Sequence, residues 1–465
     1  MKLVKRGHVF LVALSLYLVM ASQALALTAQ QQAEAIIKAS PVAQKIQQNF
    51  KPEYGNLSFF VEGLTGRFGE LPSTKREWGN SNILPLIIAD GQGFGGTGSL
   101  SRIMILLDQQ GKAKSVISER TVTVPTELID AIQDAQYLRL SSSVFLDSTV
   151  DLSSFNNLER VDISFSKNME HIILPKSGKV EKIIIYQESL KRISNLGMQK
   201  KLNLLQSTAE KSIGFEEING SKTLKDLSIY LSDPSIDIGS IIHLQRLRLT
   251  NPRYENIRNI SSLDNLKKLT LRNLSSEKIS RISLPKNLED VALFDVSKNS
   301  LPEIKDLPEL KKLVLWSSED RVLNKVENLP SLEELFIADS NLPTLAGIEK
   351  LPSIKDLTIK ESGTIDISAI EALHHLENLM ITDNYLDDIS VIAKLPKLVY
   401  VDASYNQLKV LPKLRPGNHL KYFDFNNNPI ETIDPEVIKT YSKVSKRAYN
   451  TPFYQSLTRK QRLAL

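Results

Sequence analysis

A period of 22 residues constrains this chain more than any other feature. The stretches "LENLMITDNYLDD" from Leu376, "LVYVDASYNQLKV" from Leu398 and "LKYFDFNNNPIET" from Leu420 share one frame, L-x-x-L-x-L-x-x-N-x-L, at steps of 22. The frame extends backwards to openers at Ala135, Leu158, Val180, Leu202, Leu224, Leu244, Leu266, Leu288, Leu310, Leu332 and Ile354. Of the thirteen intervals, eleven are 22, one is 23 and one is 20. The first, fourth and sixth positions are apolar in 41 of 42 cases, where a 42% apolar composition would give about 18. Ser207 is the exception. Positions four and six fall on one side of a short strand, and positions three, five and seven on the other. A single repeat cannot bury its apolar edge, but stacked neighbours can, so the pattern predicts a solenoid with a parallel strand ladder.

The frame resembles the leucine-rich repeat family, in particular the 22-residue class of bacterial internalin-like proteins. Repeats of that class also carry an apolar residue three before the opener, and Leu307, Leu329, Leu351, Leu373 and Leu395 occupy that place here. The resemblance covers roughly Val124 to Asp434. It implies an α/β solenoid, a horseshoe with parallel strands on its concave face, and that face usually binds a protein in this family. The family's ninth-position Asn, which satisfies backbone groups at the turn after each strand, is present as Asn384, Asn406 and Asn428. Ser143, Ser166, Ser232, Ser318, Ser340 and Ser362 replace it in six repeats, and a hydroxyl offers fewer hydrogen bonds than an amide. Glu188, Glu210, Pro252, Leu274 and Val296 break the pattern, so the middle of the array is expected to be its less regular part.

The flanks lack the period. Residues 1–26 combine a basic start (Lys2, Lys5, Arg6), an apolar run from Val9 to Ala21 and the small-residue motif Ala24-Leu25-Ala26, the layout of a secretory signal peptide. Without that segment, 55 basic residues face 53 acidic ones. A near-neutral mature chain gives no global reason to bind nucleic acid or an anionic membrane, and no transmembrane segment remains after cleavage. The absence of Cys closes off thiol catalysis, thiolate metal sites and disulfide staples. Residues 27–125 are expected to form a small α+β N-terminal domain that covers the first rung of the solenoid, which spans 126–434 in about 14 repeats. Residues 435–465 should form a helical cap with a basic tail that carries Lys439, Lys443, Lys446, Arg447, Arg459, Lys460 and Arg462.

Inside the N-terminal domain, "DGQGFGGTGSL" from Asp90 supplies the spacings G-x-G-x-x-G and G-x-x-x-x-G between Gly91 and Gly98. Ser99 stands where a phosphate-binding loop needs Lys, and the sequence beyond it has the character of a strand. A mobile hairpin loop is the better reading of this stretch. Elsewhere there is no H-E-x-x-H, G-x-S-x-G or calcium-loop pattern. His374 and His375 sit before a repeat opener, where a surface turn competes with a metal site. No cofactor is expected.

The outward strand positions carry the candidate site. Phe294, Val314, Trp316 and Phe336 cluster on consecutive rungs, with Tyr186, Tyr230, Tyr400 and Tyr422 further out. Exposed aromatics of this kind anchor protein partners, although they could instead pack on one another. Arg246, Arg248, Lys268 and Arg272 form a basic stretch beside them, suited to an acidic protein ligand or a polyanionic glycan, or simply a solvated face. Asp402, Asp424 and Asn426 make the far end acidic and polar. The expectation is an exported, non-enzymatic recognition protein that binds a protein partner, with host interaction one possible setting. Two alternatives remain: an N-terminal domain with ligand-binding or hydrolytic activity targeted by the array, and an envelope structural or adhesion component.

Overall fold

The computed structural model describes residues 39–49, 59–60, 84–89, 102–108, 110–119, 123–124, 126–141, 144–145, 147–166, 168–210, 214–231, 233–317 and 322–464. The expected signal segment and the Gly91–Gly98 loop lie outside the described residues. Two compact units divide the chain, Met1–Gly214 and Phe215–Leu465.

In the first unit the parallel ladder begins earlier than the period suggests. The strand Ala113–Glu119 pairs with Tyr137–Ser141 in parallel, Ser115 opposite Tyr137, a 22-residue step. It is therefore already a rung, with Ala113, Val116 and Ser118 buried at the first, fourth and sixth positions. The boundary expected at residue 125 does not separate this strand from the array. Arg160–Ser164 and Lys182–Tyr186 continue the ladder, followed by Leu204–Ser207. On the other side of Ala113–Glu119, Arg102–Leu107, Leu84–Ala89 and Phe59–Phe60 add antiparallel strands in turn. The first rung is thus covered by continued sheet pairing, which removes an open edge. Ser207, like Ser118 a polar residue in a core column, is 5% exposed and its hydroxyl accepts a hydrogen bond from the Ala209 amide at 3.2 Å.

The second unit stacks parallel strands from Asp226–Tyr230 to Ser445–Arg447, nearly all of them 20 or 22 residues apart and always in register. Core columns hold from Leu224 to Phe425 and end at the last rung, where Lys446 stands opposite Phe423. Leu244, Leu247 and Leu249, then Leu266, Leu269 and Leu271, and so on through Ile354, Leu357 and Ile359, are buried. Leu307, Leu329, Leu351, Leu373 and Leu395 are buried with them. Each fully buried Leu contributes about 1.5–3 kcal/mol, so the repeated column supplies the dominant favourable term.

Nine successive rungs of the second unit leave their strands through a left-handed residue. Asn251, Asn273, Asp295, Ser317, Asp339, Glu361, Asp383, Tyr405 and Asn427 all have φ between 48 and 58°. Six of these nine are Asn or Asp, the non-glycine residues that tolerate this conformation best. The return segments are too short for long helices, and many form short 3₁₀ helices such as Ile260–Ser262, Ile348–Lys350 and Ser390–Lys394.

The middle of the array is more regular than its ninth positions imply. Strands Lys268–Leu274 and Asp290–Val296 run two residues longer than the five-residue strand Arg246–Thr250, and Leu274 pairs with Val296. Both side chains are buried, so an apolar residue joins the core where other rungs place Asn.

At the C-terminal end the helix Pro435–Thr440 is N-capped by Asp434, and Ser445–Arg447 forms a last rung against Tyr422–Asp424. Tyr441 is fully buried, stacks on Phe423 at 5.6 Å and donates its hydroxyl to the Pro412 carbonyl at 2.7 Å. Burial pushes its phenol well above the usual range.

Candidate functional site

The strand face of the second unit displays three outward columns, fixed by the ladder register. The first column begins Asp226, Arg246, Lys268, Asp290, Lys312, Glu334, Asp356, Asn378. Its members neutralise one another across rungs. Arg246 meets Asp226 at 2.8 Å, Lys268 meets Asp290 at 3.4 Å, Lys312 meets Glu334, and Asn378 donates to Asp356. The hydrogen bond to Glu334 raises the Lys312 pKa. Exposed pairs of this kind add little stability, about 0–1 kcal/mol each, but they cancel charge along the column.

This pairing changes the expected basic stretch. Two of its four cations, Arg246 and Lys268, are neutralised. Arg272 lies over the Phe294 ring at 3.9 Å. Arg248 and Arg272 both stand exposed without an acidic partner among the described residues. The partners Asp226 and Asp290 were missed, although opposite charges one rung apart are a readable signal for them.

Arg272, Phe294 and Trp316 are consecutive members of the third column, aligned rung to rung. Trp316 stacks on Phe336, which stands one rung further in the middle column, with centroids 5.6 Å apart and planes at 17°. Trp316 is 40% exposed, and Phe294, Val314 and Phe336 are half-buried. The result is a continuous aromatic strip, one end covered by a guanidinium. Phe294, Trp316 and Phe336 line a shallow pocket of about 360 Å³ with Val314 and Thr358, and Lys312, Glu334 and Asp356 add charged groups to it. The rings do pack on one another, as one reading of the sequence allowed, yet they leave Trp316 and the pocket open.

The far end of the face is less acidic than expected. Tyr400 and Tyr422 stack at 4.8 Å with planes only 7° apart, and the Arg447 guanidinium lies 5.6 Å from the Tyr422 ring. Asp402 accepts from both the amide and the hydroxyl of Ser404, at 3.0 and 2.6 Å. Asp424 accepts from the Asn426 amide at 3.0 Å and from the Tyr422 hydroxyl at 3.2 Å. Burial raises the Asp424 pKa. Burial, with the neighbouring Asp424 charge, pushes Tyr422 up to about 12. These carboxylates shape the turns after their strands rather than present free acid to a ligand.

Beneath the face, the Asn column ties rungs together. Asn384 donates to the Ile359 and Thr382 carbonyls and accepts from the Ser362 and Thr364 amides. Asn406 and Asn428 bridge neighbouring rungs in the same way. The Ser340 hydroxyl donates to the Ala338 carbonyl and that of Ser362 to the Lys360 carbonyl, both within their own turns. Asn256, outside the predicted frame, is fully buried and donates to the Asp233 and Ile236 carbonyls while accepting from the Arg253 amide. In the first unit, Tyr186 donates its hydroxyl to Gln206 at 2.8 Å and packs near the exposed Phe165.

His374 is exposed, and His375 Nδ1 lies 3.1 Å from the Lys397 ammonium. Among the described residues, no group of three or more acidic or imidazole side chains is placed to hold a metal, and no helix is long and apolar enough to cross a membrane.

No family model matches the chain, and no curated protein does. Among solved structures it is similar to a leucine-rich repeat protein of Leptospira interrogans, with a TM-score of 0.47, 19% identity, and coverage of 72% of this chain and 84% of that one. It is also similar to an internalin of Listeria monocytogenes, with a TM-score of 0.39, 17% identity, and coverage of 58% of this chain and 81% of that one. The in-register stacking of 22-residue rungs makes the array a leucine-rich repeat solenoid.

Proposed function

We propose that this chain, a leucine-rich repeat protein by fold, is an exported, non-enzymatic recognition protein that holds a protein partner on the strand face of its array. That face is the concave one in this class of solenoid. The observation that carries the reading is the strip Arg272, Phe294, Trp316 and Phe336 with its open pocket, on a face whose neighbouring charges are cancelled in pairs. Cancelled charge lowers the desolvation cost of covering the rim, and aromatic anchors in a pocket supply most of the binding energy in protein interfaces. Export rests on the signal-peptide layout of residues 1–26.

Affinity capture with the mature chain, followed by titration of the isolated partner, tests the reading. Replacement of Phe294, Trp316 and Phe336 by Ala should weaken the partner at least about a hundredfold, since each hot-spot aromatic is worth about 2 kcal/mol or more. Unchanged affinity with the fold intact would exclude this face as the partner site.

A further inference from the structure

The C-terminal end holds a second concavity, independent of the aromatic face. A pocket of about 470 Å³ opens between the segment 413–418 and the helix Pro435–Thr440 with the turn that follows it. Lys413 and Arg415 line one wall, Lys439 and Lys443 the other. Glu436 is the single acid in the lining, and Lys439 already binds it. Lys413, Arg415 and Lys443 are exposed and have no acidic partner among the described residues.

The two walls are fastened at the residues that flank these cations. The Leu414 amide donates to Thr440 Oγ1 at 3.2 Å, and the buried Tyr441 hydroxyl donates to the Pro412 carbonyl at 2.7 Å. Thr440 Oγ1 in turn donates to the Val437 carbonyl at 2.6 Å. Like charges are therefore held around one cavity by bonds that do not involve the charges themselves. Such an arrangement is relieved when an anion enters. A single exposed ion pair adds little to binding, so the occupant must carry several charges. An Arg fork suits a phosphoryl group, and a phosphate monoester carries about 1.5–2 negative charges at neutral pH. Two phosphates would balance the three free cations.

We propose that this pocket binds a multivalent phosphate, a ligand with two or more phosphoryl groups held by Lys413, Arg415 and Lys443. The group could belong to a free anion or to a phosphorylated lipid headgroup, and the test separates the two. Calorimetric titration of the full chain with tripolyphosphate at about 50 mM salt should give saturable binding that weakens at least about fivefold near 200 mM salt. The combined variant Lys413→Ala, Arg415→Ala, Lys443→Ala should lose at least about tenfold in affinity with an unchanged circular dichroism spectrum. Lys286→Glu, on an exposed position elsewhere, should stay within about twofold of wild type. Sedimentation with vesicles that carry a polyphosphorylated inositol lipid supplies the second arm. Capture that depends on the same three residues assigns a lipid headgroup, whereas tripolyphosphate binding without capture assigns a free anion. Absence of saturable binding in both arms, or equal losses in the triple variant and Lys286→Glu, would overturn the proposal.

Discussion

The Arg272 guanidinium lies 3.9 Å over the Phe294 ring, one rung further along the ladder. The contact joins the basic and aromatic parts of the face into one strip. The ring orients the Arg272 guanidinium but leaves its charge in place.

This contact should be measurable without a partner. A double-mutant cycle with Arg272→Ala and Phe294→Ala, read by urea unfolding, should give a coupling of about 0.5–1 kcal/mol, typical of an exposed cation–π pair. A coupling indistinguishable from zero would mean that the guanidinium spends its time in solvent.

Asn406 and Ser362 occupy the same position of their repeats with unequal workloads. Asn406 donates to the Ile381, Ala403 and Ser404 carbonyls and accepts from the Leu386 amide, whereas the Ser362 hydroxyl donates to the Lys360 carbonyl. Asn406→Ala orphans buried backbone groups on two rungs and should cost about 2–4 kcal/mol; Ser362→Ala should cost about 1 kcal/mol. Chemical denaturation of both variants checks the ranking, and equal losses would contradict it.

Gly239 sits in the one repeat shortened to 20 residues. A Cβ added there would stand 2.6 Å from Asn259 Cβ and 2.7 Å from its carbonyl oxygen. Gly239→Ala must push the two return segments apart and should destabilise by about 1–3 kcal/mol. Thermal unfolding at wild-type temperature would show that the segments give way freely.

Burial holds the Asp424 carboxyl above its ordinary pKa of 3.8. The folded chain therefore binds the proton more tightly than the unfolded one, and stability falls as pH rises from about 3.8 through the raised pKa. Asp424→Asn can still accept from the Asn426 amide and should lose that decline, so its stability should gain on wild type as pH rises through this window. Parallel curves of stability against pH for the two proteins would assign the decline to another group.

Much of the fold was legible because burial repeats with the chain. Leu247, Leu269, Val291, Leu313 and Leu335 occupy the same place in successive repeats, and each is buried against its neighbours. Leu274 and Val296 misled only because they were compared with an Asn template. Their apolar character places them in the core, where the structure has them. The left-handed turn residues emerged only with the structure, although Asn or Asp recurs at the eighth position as Asn251, Asn273, Asp295, Asp339, Asp383 and Asn427.

The candidate site was legible by position but not by state. Phe294, Trp316 and Phe336 were placed on one face, yet their stacking and the pocket beside them depend on rotamers and on diagonal contact between columns. Arg246 and Lys268 looked free when only like charges were counted, until Asp226 and Asp290 came into register beside them.

By itself, the sequence determined the repeat, the direction in which each side chain points and the identity of the core. Those properties follow from local alternation along a strand, which a 22-residue period copies from rung to rung. The tertiary structure decided which surface charges survive, where the ladder starts and how Lys413 and Arg415 come to face Lys443. These depend on neighbouring rungs stacked 4.7–4.9 Å apart and on the terminal hydrogen bonds of Thr440 and Tyr441. Such interactions join residues whose proximity no single repeat encodes.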